Sequence, residues 1–291
     1  MPLDLRSKGD APDRAFRWIA IGAGALVLVV LGLIAVTMTS RAAPALGKMG
    51  FDFFGDRKWS APADHYGALS FIWGTLFTAT IAIAISVPIS LGVALFVTNA
   101  APPWLKKPMV YMIDLLAVVP SVVFGLWGVL VLSQHFGLGR SFLTAGIILG
   151  IMITPIITSL SREVIETTPA SDKEAALALG ATRWEMIRAA VLPHSKGGLV
   201  GAVMLGLGRA MGETIAAALV IGSAAQISLN PFAPGNSMPA VIANEWGEAH
   251  DLHKSALIAL AVTLFVITIV VNLVATWIVQ RSMARSRGAT A

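Results

Sequence analysis

The sequence contains no cysteine, which excludes disulfides, thiolate metal sites and a cysteine nucleophile. Charge is scarce as well: Asp, Glu, Lys and Arg make up 13% of the 291 residues, against 56% hydrophobic residues. No Gly-x-x-x-x-Gly-Lys-Ser/Thr loop occurs, so the chain carries no phosphate-cradling nucleotide site of that kind. No Pro- or Ser-rich linker divides the chain, and no internal repeat stands out. His65 is isolated, and His135, His194, His250 and His253 fall in expected loops without clustering, so no metal site is indicated. No nucleophile, base and orienting acid stand together, which argues against an enzyme.

Apolar residues dominate what remains. A mean hydropathy of +0.77 places the chain in the membrane class. Its net charge of +5 would suit nucleic acid, but the basic residues flank apolar runs instead of forming a stripe, which favours a bilayer. Crossing a hydrocarbon core of about 30 Å takes about 20 helical residues. Six segments reach that length: 18–39, one span around Pro88 within 66–105, then 109–133, 141–161, 197–223 and 255–280. Open strands leave backbone groups unpaired in lipid, so an all-α integral membrane protein with six transmembrane helices is predicted. The expected organisation is a tail at 1–17, a first transmembrane helix at 18–39, a core at 66–280 holding five spans, and a tail at 281–291.

Lys and Arg number 14 on the side of the two tails and 6 on the other, which puts both termini in the cytoplasm. The first apolar run, preceded by Arg14 and Arg17 and followed by Ala43-Pro44-Ala45, has features of a signal peptide. Its length exceeds the 7–15 residues or so of a signal core, so a retained first span is expected.

The longest cytoplasmic connection, 162–196, has two helix starts. Ser171 with Glu174, and Thr182 with Glu185, have capping-box spacing; Gly180 ends the first helix and Pro193 stops the second. Trp184, Ile187 and Val191 give the second helix one apolar face that a cytoplasmic partner would cover. A chance amphipathic surface hairpin is the competing reading.

Two intramembrane charges stand in the fifth span. Arg209 lies about a dozen residues past Lys196, roughly 18 Å into the bilayer at 1.5 Å per residue. An Arg at that depth costs at least about 2.5–3.5 kcal/mol and usually faces a bundle interior or an aqueous path. Glu213, four residues on, is expected on the same helical face. The pair either offers a fork of donors to an oxyanion, moderated by Glu213, or neutralises itself and orients the span. Gly206, Gly208 and Gly212 let a ligand or another helix approach. Pro120 implies a break near Ser121 or a simple kink, and Asp114 reads as an interfacial or structural acid.

Glu174-Ala175-Ala176, then Gly180, then Leu192-Pro193 resemble the EAA motif of ABC importer permeases, with Ala190 in place of the usual Ile. Gly-Leu-Gly-Arg-Ala-Met-Gly-Glu-Thr at 206–214 resembles the Arg and Glu signature of phosphate-specific permeases. The stretch from Val119-Pro120-Ser121 to Gly128 is similar to the Pro-Ser segment of the PstC branch, and 230–235 with 242–246 to its outer loop. The likeness runs from about residue 66 to the end of the last span. It implies a type I ABC importer permease-like fold with a cytoplasmic EAA helical hairpin, in a non-catalytic, multi-pass subunit of the bacterial inner (plasma) membrane. It implies translocation of inorganic phosphate past Arg209, Glu213 and Ser121, and ATPase coupling through Glu174, Ala175, Ala176, Gly180 and Trp184. The implied partners are a PstA-type permease, two PstB-type ATPase subunits, a PstS-type external phosphate-binding protein and membrane lipid, with no nucleic acid. No cofactor is expected on this chain, with ATP and Mg acting on the ATPase subunits. A permease for another oxyanion or nutrient, and a phosphate-signalling module that moves nothing, remain the alternatives.

Overall fold

A computed structural model describes residues 10–288; the ends of the two expected tails, 1–9 and 289–291, lie outside the described residues. The order is α1 (Asp10–Met49), α2 (Asp52–Gly55), β1 (Trp59–Ser60), β2 (His65–Tyr66), α3 (Leu69–Asn99), α4 (Pro103–Val118), α5 (Ser121–Trp127), α6 (Phe142–Glu166), α7 (Ala170–Ala178), α8 (Arg183–Met186), α9 (Leu192–Gly212), α10 (Ile215–Val220), α11 (Met238–Glu245) and α12 (Asp251–Gly288). Among the described residues five helical stretches are long and apolar enough to span a bilayer, and six if the bent pair formed by α4 and the helix from Ser121 to His135 counts as one.

That bent pair is the span expected at 109–133, and of the two readings of Pro120 the structure shows the break rather than a simple kink. The two helices meet at 91°. Val119 is extended and Pro120 occupies the cap position of α5, because the proline ring disfavours helical backbone at the residue before it. The first and last helices also outrun their expected limits: α1 begins inside the expected tail, and α12 continues to Gly288.

α6 is the innermost span and packs chiefly on α3. Small residues permit the approach: a β-carbon at Gly146 would stand 2.4 Å from Ile81 Cγ2. The first turn of α6 leaves N–H groups without helical partners. Ser141 Oγ accepts from Thr144 N–H, and the carbonyls of Ala233 and Pro231 accept from Phe142 and Leu143. The loop 230–235 is thus tied to the head of the central helix.

α1 is exposed along most of its length but packs on α12 near its end, where Ala42 and Ala45 are buried. Pro44 interrupts the helical ladder there. The Ser255 hydroxyl bridges the gap, donating to Arg41 O at 2.8 Å and accepting from Ala45 N–H at 3.1 Å. Beyond it, the β1–β2 hairpin folds over α11 and α12. Trp59 Nε1 donates to Glu245 Oε2 at 2.8 Å, the same oxygen meets His253 Nε2 at 2.8 Å, and Tyr66 stacks on His253. His65 contacts Asp56, and with the Lys58 and Arg57 amides it holds that carboxyl down to about 2. His253 therefore stands in α12 and His194 in α9, not in the expected loops, and His65 is not isolated. Among the described residues no group of His, Asp and Glu is arranged to hold a metal ion.

Candidate functional site

The second helix of the loop does not stop at Pro193 as expected; the chain stays helical through it, and the proline sits inside the first turn of α9. Upstream, residues Ile187–Val191 form a π turn that joins α8 directly to α9. Proline cannot donate to the residue four earlier and its ring crowds that carbonyl, and the wider π turn absorbs both effects. The stretch Arg183–Gly212 consequently forms one span that carries the loop elbow at one end and Arg209 at the other.

α9 ends at Gly212, before the expected limit of the span. Glu213 is extended, with φ −69 and ψ 125, and α10 begins only at Ile215. Such a break inside a membrane requires its freed backbone groups to be paired. Thr214 Oγ1 donates to Gly212 O at 3.2 Å, and Glu213 Oε1 accepts from Ala216 N–H at 3.4 Å. The expected one-turn stacking of Glu213 over Arg209 on an unbroken helix is therefore corrected. No ion pair joins the two among the described residues.

Both side chains nevertheless line one cavity of about 810 Å³ on the outer face of α9. Gly201, Met204, Leu205, Gly208, Arg209 and Gly212 recur at three- and four-residue steps along it, a single face of α9, and Glu213 follows just past the helix end. Arg209 is exposed to this space and lies in the last turn of α9, whose carbonyl ends favour a cation. Among the described residues no carboxylate pairs with its five N–H donors, which suits an entering oxyanion. The three glycines of the signature divide by role. Gly208 and Gly212 border the cavity with open space at the β-carbon position, whereas a β-carbon at Gly206 would stand 2.6 Å from Ile157.

Ser121 heads α5, half-buried, and is not among the cavity's lining residues. Its helix packs on α10, at whose start Glu213 accepts from Ala216 N–H. Asp114 is exposed on α4. The sequence reading missed Asn272 and Thr276 of α12, which form the facing wall. The signal was present: an amide and a hydroxyl four residues apart on one face of an uncharged span.

The connection 162–196 is a helix, an elbow and a helix. α7 starts near the expected point but Ser171 makes no capping bond; Pro169 takes that position, and Ser171 Oγ donates to Asp172. Gly180 turns the elbow at φ +86, a conformation open to glycine. The second capping box is complete: Thr182 Oγ1 accepts from Glu185 N–H at 3.3 Å while Glu185 Oε2 accepts from Thr182 N–H at 2.7 Å. The expected single apolar face is divided. Val191 is fully buried with Ile165, Met186 and Leu199, whereas Trp184 is 58% exposed and Leu179 90% exposed. Glu174 and Ala175 are exposed, and Ala176 tucks against the Val191 cluster.

Residues 86–283 match the family of binding-protein-dependent transport system inner membrane components. Over 95% of its length the chain is 39% identical to a phosphate transport system permease protein PstC of Xylella fastidiosa (strain Temecula1), covering 93% of that protein. A probable protein of that name from Methanocaldococcus jannaschii is 34% identical over 91% of this chain and 93% of its own. Among solved structures, a chain of a bacterial ABC transporter for import of the acidic polysaccharide alginate aligns over 92% of this chain and 96% of its own, with TM-score 0.65 at 16% identity. A chain of the MetNI methionine ABC transporter, inward facing, aligns over 77% of this chain and 99% of its own, with TM-score 0.62 at 17% identity. At such identities the likeness concerns the fold, that of type I ABC importer permeases.

Proposed function

The chain belongs to the binding-protein-dependent transport system inner membrane components, and from that premise we propose that it is the permease subunit of an ATP-driven importer of inorganic phosphate. The observation that carries this reading is Arg209: a cation on a glycine-lined cavity, without an ion-pair partner among the described residues, inside a helix that crosses the membrane. Retaining such a charge in a bilayer is expensive, and a mobile anion is the ligand that offsets its cost. The names of the relatives supply the anion. Glu213, beside the same cavity, keeps Arg209 from holding it too tightly for release. Ser121 belongs to this path through the contact of α5 with α10.

In this account the face of α9 that bears the cavity meets a PstA-type permease, and phosphate passes between the two subunits. A PstS-type binding protein delivers phosphate from outside, and two PstB-type subunits bind ATP and Mg on the inside. Their contact is the elbow, with Glu174, Ala175, Ala176, Gly180 and Trp184. Because α8 runs through the π turn into α9, a movement of the elbow reaches Arg209 along one helix. Both termini lie in the cytoplasm.

Uptake by vesicles holding all the subunits tests the reading. Labelled phosphate should accumulate only with ATP inside and binding protein outside, and sulfate and molybdate should not. Accumulation of either of those two in preference to phosphate would assign the path to another oxyanion.

A further inference from the structure

α12 between Ala256 and Trp277 is apolar except for three threonines and Asn272. Each threonine turns its hydroxyl back on its own helix: Thr263 to Ala259 O at 2.7 Å, Thr268 to Leu264 O at 2.8 Å and Thr276 to Asn272 O at 2.8 Å. The carboxamide of Asn272 makes no such bond among the described residues. It is half-buried and lines the same cavity as Arg209 and Glu213. An amide in an apolar span without a partner loses the hydrogen bonds water would give it, so its place on this wall calls for a ligand.

We propose that Asn272 is a positioning residue for the transported anion, donating an amide N–H to a phosphate oxygen while Arg209 holds others. The proposal rests on the phosphate reading above. A guanidinium fork serves two oxygens of a tetrahedral anion, and the remaining oxygens need donors to replace lost hydration. A second cation would tighten the grip and slow release. A neutral amide supplies donors without that penalty, and its carbonyl oxygen accepts from the hydroxyl of a protonated phosphate. Since α12 packs on α9, the anion is then held between two helices.

The test uses the complete complex, reconstituted with its binding protein and ATP. Asn272→Leu should assemble and lose maximal uptake roughly tenfold or more, the effect of removing one hydrogen bond to a charged group. Asn272→Ala supplies the same reading if the leucine variant fails to assemble. Asn272→Ser, which restores a donor, should recover a large part of the rate. Combined with Arg209→Lys, Asn272→Leu should slow uptake by less than the product of the single effects, because both groups act on one anion. Wild-type uptake by Asn272→Leu or Asn272→Ala, or multiplicative losses in the double variant, overturns the proposal. So does loss of the second permease subunit from the Leu, Ala and Ser complexes alike, which would make Asn272 an interface contact. A wild-type complex that imports no phosphate overturns the underlying reading and this inference with it, whereas a competent wild type with indifferent Asn272 variants removes the inference alone.

Discussion

Glu213 accepts the backbone N–H of Ala216 at 3.4 Å, so the carboxylate that a continuous helix would set one turn above Arg209 caps α10 instead. Two substitutions separate its cap from its charge. Glu213→Gln keeps an oxygen acceptor and should assemble with wild-type thermal stability while uptake falls. Glu213→Ala removes the cap as well and should lose about 1 kcal/mol of stability, seen as a lower melting temperature of the purified complex. Because no ion pair joins Arg209 and Glu213, the charge-swapped double variant Arg209→Glu with Glu213→Arg should not recover uptake. Recovery of most of the rate would mean that the two residues serve each other.

The glycines of α9 give a second contrast. Gly206→Ala forces a methyl against Ile157 and should cost about 1–3 kcal/mol, measured by thermal denaturation in detergent. Gly208→Ala meets open space and should not lower stability. Its methyl intrudes on the cavity beside Arg209, so maximal uptake should fall. The reverse assignment of the two effects would contradict the proposed path.

At the elbow, Trp184→Ala removes an exposed side chain and should leave the chain folded while the ATPase subunit is lost from the purified complex. Val191→Ala opens a void among Ile165, Met186 and Leu199, and should destabilise the chain itself by about 1–3 kcal/mol. Retention of the ATPase by both Trp184→Ala and Glu174→Lys would remove the elbow as the docking site.

The membrane spans were legible because a 20-residue apolar run admits one backbone solution in lipid. The elbow was legible for a local reason too: Gly180 and the Thr182–Glu185 box act within a few residues. What escaped the sequence depends on neighbours. Pro193 is a helix stop in isolation, but the π turn Ile187–Val191 just upstream absorbs it. Nothing local distinguishes Val191, which faces its own chain, from Trp184, which does not. The break at Glu213 requires Thr214 and Ala216 to pair the freed groups, and no pattern of hydropathy encodes that. Asn272 was visible as a polar residue in a span, but its connection to Arg209 appears only when α12 packs on α9.

The central claim, that Arg209 acts on the transported anion, is tested most directly by Arg209→Lys in the assembled, reconstituted complex. Lysine keeps the positive charge and replaces a planar fork of five donors with a compact ammonium, so charge and geometry are separated. Maximal phosphate uptake should fall by an order of magnitude or more, the loss of one charge-assisted hydrogen bond, with every subunit still present in the complex. Uptake at the wild-type rate, by Arg209→Lys and by a variant with both Arg209 and Glu213 neutralised, would contradict it.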